Sequence, residues 1–203
     1  MSSFIGHTLT SIGIATTTQR PEKPTALSVL WLGWLCFIGL APDMDYFVPP
    51  LYALRASLED GVRITHSVVG ALFFPLLTLL VLSRLRLKQE TLRLYSIQAC
   101  LVGLSHIVMD LLVGVWPLPL LWPFTSHLFK LPFGILPSAP SFHLENPYMY
   151  RNVTMEVGIF VPLYAGIYVM RYTHLPRWAR VTCMSVLWAC SAGFMAWAYT
   201  LPR

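Results

Sequence analysis

Charge is what this sequence has least of. Charged side chains make up 11% of its 203 residues, while hydrophobic residues make up 56% and the mean hydropathy is +0.61. An ordinary soluble domain carries about 25% charged residues. So apolar a chain is neither disordered nor a coiled coil, and without a glycine period it is not a collagen-like fibre. Cysteine is also scarce. Cys36, Cys100, Cys183 and Cys190 each sit inside an apolar run and none forms a C-x-x-C pair, which argues against a disulfide scaffold and a cysteine zinc site. No internal repeat, low-complexity tract or lipidation motif is evident, and the first residues lack the basic start of a cleaved signal peptide. The class left is a polytopic membrane protein, expected as a single domain over residues 1–203.

Five apolar stretches approach the ~20 residues that a spanning helix needs. They are Ala26–Ala41, Ile64–Ser83, Leu94–Trp116, Val153–Met170 and Val181–Leu201. Thr25 is placed to cap the first, and Pro42 to help end it. A sixth stretch, Phe4–Thr18, is shorter and more polar, and reads as a helix packed on the others. The expected fold is therefore an all-α membrane bundle of five or six helices. Between the third and fourth spans, Pro117–Asn152 holds seven of the 16 prolines together with Trp122, Phe124, Phe129 and Phe133. It is too long and apolar for a plain connector and is expected to fold on, or dip into, the membrane surface.

The net charge of +5 comes from basic residues in short loops, which fits a membrane better than nucleic acid, so no nucleic-acid partner is expected. Arg20, Lys23, Arg84, Arg86, Lys88, Arg93, Arg171, Arg177 and Arg180 fall on one side of the proposed spans; Arg55, Arg63, Lys130, Arg151 and Arg203 fall on the other. The richer side is expected to be cytoplasmic.

Most of the unusual polar residues gather at the other, outer end. Asp43 and Asp45 follow the first full span, and His66 begins the second. His106 and Asp110 occupy the outer half of the third, four residues apart and so on one helical face, with Gln98 two turns earlier. His7 lies near the outer end of the N-terminal segment, Glu156 near the outer start of the fourth span, and His127, His143 and Glu145 in the outer loop. An aspartate inside a spanning helix costs about 2.5–3.5 kcal/mol on insertion scales, so it faces the bundle interior or water. Imidazoles with carboxylates suit a divalent metal, and the number of ligands exceeds what one tetrahedral zinc needs. Two ions about 3.5–4 Å apart, bridged by Asp43 or Asp45, would suit phosphoester hydrolysis. Arg63 is a candidate clamp for phosphate or carboxylate. Each group also has a plain structural reading: Asp43 and Asp45 as a turn, His66 beside a helix cap, His106 with Asp110 as a buried hydrogen-bonded pair.

His7, then Pro-Asp-Met-Asp, then Thr-His-Ser, then Ser-His-x-x-x-Asp-Leu-Leu followed by Leu-Trp-Pro-Phe, together resemble the YdjM-like family of bacterial inner-membrane proteins over roughly residues 1 to 170. That resemblance implies a membrane-bound, metal-dependent hydrolase. The order of histidines and aspartates is also similar to zinc-dependent phospholipase C and the P1-type nucleases, which implies His7, Asp43 or Asp45, His66, His106 and Asp110 as metal ligands. The chain departs from those soluble enzymes in having no terminal tryptophan ligand and no closing His-x-x-x-Glu pair. The expectation is thus a hydrolase of the inner membrane with its site facing the periplasm. It would hold divalent ions (zinc, or manganese; two of them) and act through metal-activated water on a phosphoester, with Asp43, Asp45 and Arg63 in catalytic roles and Glu156 as a further ligand. Depth in the membrane points to lipids as partners and to a lipid-linked substrate. The alternatives are an ion or metal transporter, although no polar stripe is evident across the spans, and a non-catalytic membrane protein with a structural metal.

Overall fold

Among the described residues, five of the six long helices start or stop at a residue suited to the purpose. A computed structural model describes residues 3–19, 25–51, 53, 62–138 and 145–201; Arg20, Lys23, Arg55, His143 and Arg203 lie outside them. Helix α1 (Phe4–Thr18) is capped by the Ser3 hydroxyl, which accepts from the Gly6 amide. Helix α2 (Ala26–Leu40) opens on a Thr25–Ser28 capping box. Helix α3 (Val68–Arg84) is capped by Ser67, and α5 (Pro147–Tyr172) by Asn146 with Pro147 in its first turn. Helix α4 (Gln89–Val113) ends at Gly114, whose φ of +66° is the left-handed conformation glycine adopts without penalty. Helix α6 (Arg177–Tyr199) completes the bundle.

Among the described residues, four segments are long and apolar enough to cross a membrane: Ala26–Tyr46, Gln89–Val113, Pro147–Tyr172 and Arg177–Tyr199. Three boundaries differ from the sequence expectation. Helix α2 ends at Leu40, just before Pro42 as expected, but the chain then continues as a 3-10 segment, Ala41–Tyr46. The second apolar run is a 3-10 turn, Ile64–His66, followed by α3, because Ser67 takes the cap position; α3 is 17 residues, about 26 Å at 1.5 Å per residue. The long loop is shorter than expected, since residues from Pro147 onward are helical.

What remains of that loop binds helix ends. Leu112 O at the end of α4 accepts from Ile135 N and Leu136 N, and Leu120 O accepts from Val68 N at the start of α3. Leu118 and Phe129 pair as an isolated antiparallel bridge. These bonds satisfy backbone groups that have no partner inside their own helices.

Helix α1 packs against α2, α4 and α5; α3 packs on α4, and α6 on α5. Helix α4 joins all three apolar clusters: Ala99 and Val102 meet Ile14, Leu35 and Ile38; Met109 and Val113 meet Leu136, Ile159 and Phe160; Ile107 meets Ala71 and Leu118. Where α3 crosses α4, Pro75 removes the donor that would have reached Ala71 O, and Gly103 of α4 lies against that carbonyl.

Polar groups are also buried here. Thr10, Ser11 and Thr17 line the inner side of α1, in keeping with the more polar character of this segment. Ser11 and Thr17 donate to His7 O and Gly13 O in their own helix, and Thr10 to the Met109 sulfur. Gln98 is held by Trp31, Thr18 and Ala15 O.

Candidate metal centre

The bundle brings the start of α1, the end of α2, the turn before α3 and the second half of α4 to one end. The 3-10 segment decides which aspartate faces inward. At three residues per turn, Asp43 and Asp45 point about 120° apart. Asp43 joins the cluster, whereas Asp45 turns to Arg63, which donates from Nε to Asp45 Oδ2 and from Nη2 to Asp45 Oδ1, both at 2.8 Å. The same Nη2 reaches Asp43 Oδ1 at 3.1 Å, and the guanidinium lies 4.3 Å from the Tyr46 ring centre. Burial disfavours the charge on Arg63, but hydrogen bonding and attraction to Asp45 outweigh it, so its pKa is raised.

Asp43, His66, His106 and Asp110 are all buried, and one ligand atom from each lies within 4.8 Å of the others. His66 Nε2 stands 3.2 Å from His106 Nε2 and 3.3 Å from both Asp43 Oδ1 and Asp110 Oδ2. His106 Nε2 stands 3.6 Å from Asp110 Oδ2 and 3.9 Å from Asp43 Oδ1. Ligands bound at about 2.0–2.1 Å around a tetrahedral ion stand about 3.3 Å apart. The five separations bracket that value, so the residues fit a divalent cation.

The imidazoles are also turned the right way. His106 Nδ1 is 2.8 Å from Gly39 O. A carbonyl only accepts, so Nδ1 carries the hydrogen and neutral His106 presents the Nε2 lone pair to the cluster. His66 Nδ1 is held by Thr65 Oγ1 at 3.0 Å, which directs its Nε2 inward in the same way. Two imidazole nitrogens and two carboxylate oxygens form a set that zinc and neighbouring first-row divalent ions accept.

The other sequence candidates divide. His7 stacks on His106 with ring centres 3.9 Å apart and adjoins the cluster. Glu156 is fully buried but receives the Ser3 backbone N–H at 2.6 Å and the Ser3 hydroxyl, so it holds the start of α1. His127 packs against Phe129 on the exposed loop, and Glu145 is exposed just before α5. Four participants escaped sequence reasoning: Ser3, Gly39, Tyr46 and Thr65. Ser3 carried a cap signature and Thr65 lay inside the Thr-His-Ser motif; the Gly39 carbonyl has no side-chain signal at all.

No curated protein and no solved structure matches this chain, so the likeness to phospholipase C and P1-type nucleases gains no support from them. A family model described as YdjM inner membrane protein matches residues 1–198, and with its buried histidine–aspartate cluster and membrane-length helices the chain belongs to that family.

Proposed function

We propose that this protein is a membrane-bound, metal-dependent hydrolase of phosphoesters, with its site opening toward the periplasm. The observation that carries the reading is the convergence of His66 Nε2, His106 Nε2 and one oxygen each of Asp43 and Asp110 in a buried cluster bordered by a guanidinium. The cation these four residues would hold, zinc being the first choice for such donors, supplies water activation and charge neutralisation at the attacked ester.

The chain's own groups divide the remaining work. Gly39 O and Thr65 fix the two imidazoles. Asp45 orients Arg63 by a two-point carboxylate–guanidinium contact, which restrains its direction as well as its charge. Arg63 has 12% of its side chain exposed, against 0–2% for the four cluster residues, so an anionic substrate oxygen entering the site meets the guanidinium first. The neighbouring surface is apolar, with Phe47, Trp116, Leu121 and Phe124 exposed near the ends of α2, α4 and the loop, which suits an amphiphilic, lipid-linked ester.

The test is metal content by mass spectrometry together with turnover of bis(4-nitrophenyl) phosphate by detergent-purified protein. Bound divalent metal with metal-dependent turnover, both lost in Asp110→Ala, is the expected result. Metal without turnover on this ester or on lipid phosphoesters would leave a structural metal and overturn the hydrolase reading. Absence of metal after repletion, in folded protein, would overturn the site.

A further inference from the structure

The corner between α5 and α6 gathers positive charge without carboxylates. Arg171 lies in the last turn of α5, Arg177 begins α6, and Arg180 follows one turn later. No residue from 171 to 203 is acidic. Among the described residues none of these three arginines is in an ion pair, in contrast to Arg63 with its two aspartates. Three like charges within ten residues of chain repel one another, and an anionic partner relieves that repulsion.

Two of the guanidiniums are held at the corner by main-chain carbonyls. Arg171 Nη1 donates to Thr17 O at the end of α1, at 2.7 Å, and the Tyr172 hydroxyl donates to the same oxygen at 3.1 Å. Arg180 Nη1 donates to Met170 O near the end of α5, at 3.4 Å. These contacts satisfy carbonyls in the last turns of two helices. A guanidinium carries five N–H donors, so one carbonyl leaves most of them unmet; Nε of Arg180 is buried with no hydrogen-bond partner. A phosphate offers several oxygens at the spacing of the guanidinium fork.

The charge adjoins exposed apolar surface. Trp178 is 73% exposed and Leu175 45%, both within the same corner. The corner joins two membrane-length helices, which sets it at a bilayer surface, where tryptophan rings lie at the level of the headgroups. It is remote from the metal centre: Arg171 follows Glu156 along α5 by about 22 Å at 1.5 Å per residue.

We infer that Arg171, Arg177, Arg180 and Trp178 form a binding surface for the phosphate headgroup of an anionic phospholipid in the adjoining leaflet. The inference is independent of the metal centre and of the hydrolase reading. A lipid, and not a soluble anion, is the occupant because the exposed indole and Leu175 border the charge at membrane depth. Because Arg171 also holds Thr17 O, the bound headgroup steadies the contact between α1 and α5.

The experiment titrates the detergent-purified full chain with phosphatidylglycerol or phosphatidylcholine of the same acyl chains and counts retained lipids by native mass spectrometry. Tighter retention of phosphatidylglycerol is expected. It should fall roughly fivefold for each charge removed in Arg177→Gln and Arg177→Gln/Arg180→Gln, with phosphatidylcholine retention unchanged. Arg84→Gln/Arg86→Gln, on the loop between α3 and α4, should leave the preference intact. Melting and monodispersity check the fold, and Arg177 is exposed, so its single variant tests the surface even where loss of Arg180 unfolds the protein. Equal retention of the two lipids, or a preference undiminished in folded Arg177→Gln, would overturn the assignment. An equal loss in Arg84→Gln/Arg86→Gln would overturn it by making the attraction a property of net charge. Displacement of the lipid by inorganic phosphate would overturn it by making the corner a site for a soluble anion.

Discussion

Helices α1 and α6 invert the usual relation between apolarity and burial. Helix α1 is rich in threonine, serine and glycine, and it lies inside, burying Gly6, His7, Thr10, Ser11, Gly13, Ile14 and Thr17. Helix α6 is among the spans by hydropathy, yet it buries only Ser191 and Ala198 and leaves Val181, Val186 and Trp197 exposed. In water the apolar helix would be the core. In a bilayer the tails are as apolar as the side chains, so what drives a segment inward is polar groups that need partners and small residues that permit close approach.

That contrast can be broken most severely at the metal. His106→Ala should abolish bound divalent metal and, with it, any metal-dependent thermal stabilisation, read by metal analysis and by melting with and without added ion. No comparable effect is expected from replacing any side chain on the outer face of α6. Next comes packing. A Cβ at Gly39 would stand 2.3 Å from Ser11 Oγ, so Gly39→Ala should force α1 and α2 apart and cost about 1–3 kcal/mol. At Gly193 in α6 a Cβ meets nothing within 4 Å, so Gly193→Ala should be neutral or stabilise by up to about 1 kcal/mol through helix propensity. Melting in one detergent gives both signs; equal destabilisation would show that α6 is as enclosed as α1.

Finer changes separate the roles around the site. Asp45→Asn should retain metal while weakening inhibition by inorganic phosphate on the order of tenfold, because Arg63 loses its two-point anchor. Metal loss in that variant would make Asp45 a ligand. Glu156→Gln should keep the fold and lower cation affinity by about 10–100-fold, the usual scale for a residue that supports a ligand indirectly, visible as a shifted Mn2+ titration.

Much of this arrangement was legible beforehand. The bounds of α1 and the Thr25 cap follow from composition and capping preference. The convergence of His7, Asp43, His66, His106 and Asp110 on one end follows from where each sits along its apolar run, since alternate helices return their ends to the same side. Two features were hidden for a physical reason. Asp43 and Asp45 stand two residues apart in one motif, and which of them joins the histidines and which joins Arg63 is set by the direction the chain takes through the 3-10 segment after Leu40. Glu156 lies at the correct end, but its partner, Ser3, comes from the far end of the chain, a pairing that spacing along one helix does not encode.

The hydrogen bond from His106 to Gly39 O carries an evolutionary consequence. An imidazole oriented by a side chain can be retuned by one substitution in its partner. This one is oriented by a main-chain carbonyl, which every amino acid supplies. Drift at position 39 therefore does not delete the acceptor; it moves the acceptor, and only by moving a whole helix. The lineage can alter the direction of this ligand gradually through packing between α2 and α4, but it has no single-step route to removing it.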